Sequence, residues 1–159
     1  MVGIDVPVAG APLQIVVTTP GPKIVTQLVA HADRHLTLKQ ADTGGFIVGG
    51  GWTASVDRAT GLGRVLRGSM EGNLWVARRV VPALDGYKVL RAWAAMNVNL
   101  DGAPLLGEVP GLPGFFNAVT SNGYTLGPIA GKITAALAAG RDPGFDLSPF
   151  RIERFGAIR

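Results

Sequence analysis

The sequence contains no cysteine, which excludes disulfides, thiolate metal sites, a thiol nucleophile and cysteinyl attachment of a cofactor. It has no run of about 18 apolar residues, and its N-terminus lacks the basic segment and apolar stretch of a secretory signal. Its basic residues are dispersed and not interleaved with aromatics, so the net charge of +4 does not indicate a nucleic-acid surface. We therefore expect no membrane span, no nucleic-acid partner and a cytoplasmic location.

What the sequence does contain favours a globular protein built from short elements. Its 159 residues are 47% apolar, enough for one domain or the larger part of one. The 23 glycines and 11 prolines exceed the usual share and follow no collagen-like period. This composition predicts many tight turns between short strands.

Strands dominate the first hundred residues. Residues 13–19 are rich in β-branched side chains and end at a Pro-Gly-Pro turn, and residues 24–30 form a weaker strand candidate. Residues 35–40 and 46–48 flank a polar, glycine-containing link, which is typical of a β-hairpin. Residues 87–96 are again strand-like.

Two helices are expected. The first spans about residues 69–81, with Ser69 as its N-cap and apolar residues recurring at three- and four-residue spacing. Short strands at residues 104–107 and 115–119 precede the second helix, which ends at Gly140. Asn122 or Thr125 is its expected N-cap, with Pro128 in its first turn.

The glycine run at residues 49–51, followed by Trp-Thr-Ala, fits the loose Gly-x-Gly-x-x-Gly/Ala pattern of a dinucleotide phosphate loop. Such a loop works only when a helix follows at once, because the pyrophosphate lies at that helix's N-terminus. Residues 53–63 have no helical apolar period, and the preceding strand is the second arm of a hairpin. The favoured interpretation is a strand end where another backbone or a ligand comes close.

A better anion site is predicted at residues 121–128. A short apolar strand runs into a glycine-containing turn, and the turn opens a helix. Unpaired backbone N–H groups and the positive end of the helix dipole hold a negative oxygen in such a place. The alternative is an ordinary capped helix without a ligand.

Several segments together resemble the C-terminal part of the FAD-dependent D-amino-acid oxidase superfamily. The C-terminal motifs are RAWAAM at residues 91–96, LDGAPLLG at 100–107, GLPGFFNAV at 111–119 and GYTLGPIAG at 123–131. Upstream, LTLKQADTGGFIVGGG at residues 36–51 resembles the substrate-domain hairpin of the branch with glycine oxidase, sarcosine oxidase beta subunits, hydrogen cyanide synthase and opine oxidase subunits. The order and spacing of these motifs make the resemblance specific.

The resemblance implies an α+β fold. It consists of an antiparallel substrate-domain sheet with a flanking helix, then a strand-strand-helix segment that completes an FAD-binding domain. We expect residues 1–99 to form part of the substrate-binding domain and residues 100–159 to complete the FAD-binding domain. The family's N-terminal Gly-x-Gly-x-x-Gly segment has no counterpart before Leu13. The resemblance thus implies FAD bound only together with an N-terminal FAD-binding half or partner subunit, and a chain that is inactive on its own.

By the same resemblance, one segment lies against the flavin ring and three further residues are candidates for binding an amine or amino acid. The expected flavin contacts are Ser121, Asn122, Gly123, Tyr124, Thr125 and Leu126. The substrate candidates are Lys39, Arg91 and Asn97, the last standing where some relatives have a carboxylate-binding arginine.

Sarcosine-type oxidases carry one lysine where this chain has Thr125 and another, used with oxygen, near the position of Ile47. Both are absent here, which leaves open whether the enzyme is an oxidase or a dehydrogenase. No catalytic residue is assigned. The spacing of His31 and His35 does not predict a metal site, because they flank a strand region.

The leading hypothesis is the C-terminal portion of an FAD-dependent amine or amino-acid oxidoreductase. A second hypothesis is a stand-alone binding or structural module of the same fold that self-associates as a homo-oligomer. A third, a self-sufficient nucleotide-binding protein, requires a helix from about Trp52.

Overall fold

The structure is a computed structural model that describes residues 3–4, 6–7, 10–98 and 101–156. The chain divides into two compact units. One is Ala11–Met96, here called the sheet unit, and the other is Asn97–Arg159 together with Met1–Gly10, here called the helix unit. None of the helices in the part that the structure describes is long and apolar enough to cross a membrane.

The strands of the sheet unit are, in chain order, β1 (Pro12–Thr18), β2 (Val29–His31), β3 (Leu36–Gln40), β4 (Phe46–Gly49), β5 (Ser55–Val56), β6 (Gly63–Arg64) and β7 (Val89–Met96). Five of them form an antiparallel sheet in the order β2-β3-β4-β1-β7, and β5 and β6 form a separate two-stranded ribbon. The predicted hairpin is β3 and β4, which pair antiparallel. It is confirmed to within a residue at each end.

One face of the sheet is buried and the other is open. In β3 the residues alternate strictly between buried and exposed, as a half-buried strand requires. The buried face packs against the helix α1 (Arg67–Val80). The core residues of this unit are Val16, Leu36, Leu38, Phe46, Val48, Val76, Ala77 and Leu84. Phe46 is fully buried, its ring lies 5.0 Å from that of Tyr87 in an edge-to-face arrangement, and full burial of such a side chain stabilises by about 1.5–3 kcal/mol.

The first helix begins earlier than the sequence predicts. Its N-cap is Leu66, which makes no side-chain capping hydrogen bond, so the predicted capping role of Ser69 is wrong. The buried Gln14 side chain on β1 supplies the anchor instead, since it accepts from the Leu66 N–H at 3.0 Å and donates to the Leu66 carbonyl at 3.3 Å. A contact 52 residues away in sequence therefore places this helix end.

The glycine run after β4 is not followed by a helix. Gly51 and Trp52 form a bend, and the chain continues into the β5–β6 ribbon. The neighbour that requires a glycine is Asn73 on α1, because a Cβ on Gly50 would stand 2.5 Å from the Asn73 Oδ1. The Asn73 side chain pairs with both the N–H and the carbonyl of Trp52. The hypothesis of a self-sufficient nucleotide-binding protein therefore fails.

Only part of the weaker strand candidate forms a strand. Val29–His31 is β2, whereas residues 24–28 are irregular, and the buried Gln40 side chain holds the first two of them. The Gln40 Oε1 accepts from the N–H groups of Ile24 and Val25, at 2.8 and 3.0 Å. Its Nε2 donates to the carbonyls of Pro22 and Gly44, at 2.7 and 2.8 Å. All four hydrogen bonds that the amide can make at these atoms are therefore satisfied.

The helix unit contains two strands and the second helix. The antiparallel pair is β8 (Leu105–Glu108) and β9 (Phe116–Val119), and α2 (Gly123–Ala138) follows. Leu106, Ala130, Ile133 and Leu147 form its core. Gly140, with φ of +65°, follows the end of α2 as predicted. The predicted α+β class, an antiparallel sheet with a flanking helix and then strand-strand-helix, is confirmed.

Candidate functional site

The first turn of α2 carries the residues that the sequence predicts as flavin contacts. The helix begins at Gly123, and Asn122 is its N-cap without a side-chain capping hydrogen bond. Residues 121–125 are exposed, Leu126 is half-buried, and no atom lies within 4 Å of a Cβ built on Gly123. This turn therefore presents an open surface on which a ligand can approach the backbone.

Two backbone donors at this turn have no acceptor among the described residues. The N–H groups of Thr125 and Leu126 both bond to the Asn122 carbonyl, at 3.0 and 2.8 Å. No hydrogen bond forms at the N–H groups of Gly123 and Tyr124 within the part that the structure describes. Together with the helix dipole, these amides favour a negative oxygen, and the dipole alone contributes ~0.3–1 kcal/mol at an exposed site. The arrangement fits the electron-rich edge of a flavin.

Pro128 stands in the second turn of α2, because the helix begins at Gly123 and not closer to the proline. The prediction that placed it in the first turn is wrong. Thr125, one of the two expected N-caps, lies inside the helix. Since Pro128 has no N–H, it leaves the Tyr124 carbonyl without the usual partner four residues on.

The open face of the sheet brings together two of the three substrate candidates. Lys39 pairs with Ile47, Ile47 with Val17, and Val17 with Arg91, so these four residues form one cross-strand row. We call them the cation row. Asn97 follows the end of β7, is half-buried and belongs to the helix unit, so the structure does not place it in this row.

A shallow cleft of about 370 Å³ opens over the Arg91 end of this row. Its lining is mostly apolar and includes Val17, Ile47, Leu90 and Trp93. The Arg91 guanidinium lies 5.1 Å from the centroid of the Trp93 ring, a cation–π contact that restrains the arginine side chain. A positively charged group over an apolar cleft can bind a carboxylate.

Asn117 on β9 is a residue for which the sequence offers no signal. It is 6% exposed, and its Nδ2 has no hydrogen-bond partner among the described residues. A buried amide without a partner costs about 1–3 kcal/mol. Asn117 therefore offers an unused hydrogen-bond donor on the strand that leads into α2.

His31 and His35 lie at a turn rather than in a metal site. The His31 Nδ1 accepts from the Arg34 N–H at 3.2 Å, and His35 has a φ of +52°. Across the residues that the structure describes, no group of three or more potential metal ligands was found.

An ion pair in the helix unit ties the turn before β8 to the C-terminal segment. The Asp101 carboxylate accepts from the Arg154 Nε and Nη2 at 2.8 and 3.0 Å, and also from the Ala103 N–H. The hydrogen bonds from Arg154 lower the Asp101 pKa from 3.8 to about 2. Asp101 thus joins the bend before β8 to Arg154 near the end of the described residues.

This ion pair makes the stability of the helix unit depend on pH in the acidic range. Because the folded-state pKa of Asp101 is about 2 and its ordinary value is 3.8, the pair's contribution is complete above about pH 4 and is lost as the pH falls toward 2. We expect Asp101→Asn to unfold with a weaker pH dependence in that window than the parent. The folded fraction is followed by the amide NMR signals of β8 and β9. Asp142→Asn is the control, and an unchanged pH dependence in Asp101→Asn would contradict the assignment.

Comparison with known proteins identifies the family. The family described as "DAO: FAD dependent oxidoreductase" matches residues 1–137. The chain belongs to this family of FAD-dependent oxidoreductases, which confirms the resemblance seen in the sequence, and FAD is the family's cofactor.

Individual relatives agree with the family match. An opine oxidase subunit of Rhizobium meliloti is 30% identical over 161 residues, covering 99% of this chain and 40% of the relative. A hydrogen cyanide synthase subunit of Pseudomonas protegens is 27% identical over 156 residues, covering 96% and 36%. The crystal structure of glycine oxidase from Geobacillus kaustophilus superposes with a TM-score of 0.79 at 25% identity, covering 96% of this chain and 41% of that one. The chain spans about two fifths of the length of these relatives.

Proposed function

We propose that the chain is the C-terminal portion of an enzyme that oxidises the carbon–nitrogen bond of an amine or amino acid. Its FAD is held jointly with a portion bearing a Gly-x-Gly-x-x-Gly loop, in the same polypeptide or in a separate one. The observation that carries the proposal is the pair of unpaired amides at Gly123 and Tyr124, in a chain of the FAD-dependent family. The names of the relatives, an opine oxidase subunit and a glycine oxidase, support a nitrogen-containing substrate.

We assign substrate binding to the sheet unit and cofactor binding to the helix unit. Residues 1–99 supply the substrate sheet and residues 100–159 complete the FAD-binding domain, a proposal supported by the compact sheet unit that ends at Met96. In the sheet unit, Arg91 and Lys39 point to binding of an anionic substrate. In the helix unit, the first turn of α2 supplies hydrogen-bond donors for the cofactor.

The flavin, when bound, supplies the two-electron acceptor that oxidation of an amine to an imine requires. The amides of Gly123 and Tyr124 would donate hydrogen bonds to the bound flavin, on which negative charge develops. Because a folded helix fixes these donors in advance, they stabilise that charge without reorganising during the reaction. Asn117, with its unpaired Nδ2 on the preceding strand, is a further donor available to an acceptor outside the described residues.

The proposal is tested by purifying the chain alone and together with the polypeptide encoded immediately upstream, if that polypeptide carries a Gly-x-Gly-x-x-Gly segment. We expect a flavin absorption spectrum and a stoichiometric complex only for the pair or for a fused polypeptide. Mass measurement gives the composition. A chain that binds stoichiometric FAD by itself contradicts the need for a second portion. A colourless homo-oligomer that does not bind the second portion contradicts the enzymatic assignment and supports the stand-alone module.

A further inference from the structure

The cation row has a positive side chain at each end and apolar residues between them. Lys39 lies on β3 and Arg91 on β7, while Ile47 and Val17 occupy the two strands between. Lys39 and Arg91 are exposed, whereas Ile47 and Val17 are half-buried. All four belong to one face, because the residues before and after Val17 and Ile47 on their strands are buried against the core.

The strand spacing of the sheet sets the distance between the Cα atoms of the two cationic residues. Three inter-strand steps of about 4.8 Å separate the Cα atoms of Lys39 and Arg91 by ~14 Å. Both charges stand at the ends of long apolar stems, and the Lys39 stem can lean over the intervening residues toward Arg91. Two anionic groups of one small molecule can therefore reach both charges.

Among the described residues, no ion pair forms at either cation. The ion pairs among the described residues involve Lys23, Arg67, Arg78 and Arg154, and neither Lys39 nor Arg91. An Arg beside an apolar cleft pairs strongly with a carboxylate, since its planar fork donates two parallel hydrogen bonds. Stacking on Trp93 restrains that fork before a ligand arrives.

Two clefts meet between the cations. The cleft at Arg91 and a second one of about 280 Å³ at Lys39 share Ile47 as a lining residue. At Gly49, which lines the second cleft, the side chains of Ile15 and Thr37 pack close to the backbone, because a Cβ there would stand 2.9 Å from both the Ile15 Cδ1 and the Thr37 Oγ1. The uncharged middle of a ligand can lie over Ile47, where the two clefts meet.

We propose that the cation row binds a dicarboxylic amine, with one carboxylate at Arg91, the other at Lys39 and the uncharged middle over Val17 and Ile47. This substrate class rests on the proposed function, which supplies the amine oxidation. A substrate with a single carboxylate leaves one cation unpaired. The charge pattern therefore favours two carboxylates over one.

The test measures binding to this chain without flavin. The probes are the unbranched diacids from succinate to suberate and the monoacids of equal length, titrated by calorimetry and by amide NMR. We expect one diacid length to bind best, about tenfold or more tighter than its monoacid, since the second carboxylate adds a charge-assisted hydrogen bond at the other cation. The amides of β1 and β4 beside Val17 and Ile47 should shift.

Variants separate the two cations from general charge. Lys39→Gln and Arg91→Gln should each reduce the affinity of the best diacid to that of its monoacid. The matched controls are Lys88→Gln, an exposed lysine just before β7, and Arg79→Gln, an arginine stacked on Trp75 on α1. Both should leave diacid affinity unchanged.

Equal binding of monoacids and diacids overturns the proposal, as does loss in only one of the two variants. Variants that weaken assembly with the FAD-binding portion but not diacid binding also overturn it, because the cations would then serve the interface. The proposed function is judged separately by the flavin complex. A flavin complex with no preference for diacids removes only this inference, whereas diacid binding without any flavin complex removes only the enzymatic assignment.

Discussion

Replacing Gly123 by proline is expected to lower the turnover of the assembled flavoenzyme about 10²–10³-fold while leaving α2 folded, the loss typical of removing one preorganised donor. Gly123 is the first residue of the helix, where proline is favoured because that N–H has no partner within the helix. The preceding residue, Asn122, has a ψ of 50°, outside the right-handed helical region that a following proline disfavours. The substitution thus replaces the N–H hydrogen by the ring Cδ, which removes the donor and also occupies the space from which an acceptor would approach this nitrogen.

Gly123→Ala is the matched variant, since it keeps the N–H and nothing lies within 4 Å of the added Cβ. It should retain turnover close to that of the parent. Steady-state kinetics of the flavin-loaded complex give the turnover, and circular dichroism shows whether the helix persists. Equal turnover in the proline and alanine variants, with both helices intact, would show that this amide does not serve the cofactor.

Replacing Gln40 by leucine is expected to destabilise the sheet unit by roughly 2–4 kcal/mol. Leucine has a similar size but leaves the partly buried N–H groups of Ile24 and Val25 without their acceptor, and an unpaired group costs up to about 1–3 kcal/mol when it is buried. Gln40→Glu keeps this acceptor but turns a buried carboxylate oxygen toward the carbonyls of Pro22 and Gly44, so it should destabilise the unit at least as much at neutral pH.

Urea unfolding followed by tryptophan fluorescence measures this effect cleanly, because Trp52, Trp75 and Trp93 all lie in Ala11–Met96. Gln27→Leu is the control, since Gln27 is exposed and only accepts a hydrogen bond from its neighbour Thr26. If Gln40→Leu unfolds at the same urea concentration as Gln27→Leu, the four hydrogen bonds do not stabilise this unit.

Local sequence signals predicted the elements whose patterns are short-range. The β3–β4 hairpin follows from alternation around a glycine-containing link, and the end of α2 follows from Gly140. The predicted start of α1 was wrong, because the actual start depends on a contact with Gln14, which is distant in sequence. The same holds for Ile24 and Val25, which the Gln40 side chain fixes in an irregular conformation where local propensity favours a strand.

The candidate site was predictable only in its parts. Family motifs pointed to the first turn of α2, where Gly123 is exposed, and its contact with the flavin stays a prediction. They offered Lys39 and Arg91 as separate candidates, whereas their common row depends on the register of four strands, which no local pattern contains. Asn117 was missed because an asparagine in a short strand carries no signal until its lack of a partner is seen.

The position of β7 at the end of the strand order has a consequence for handling the chain by itself. It is eight residues long, it carries exposed Leu90, Trp93 and Met96, and only its β1 side is paired within the sheet. A long apolar edge of this kind templates the addition of a foreign strand, which is a common route to aggregation. Aggregation of the isolated chain would therefore be explained by this unpaired strand edge, and would not by itself contradict a catalytic role.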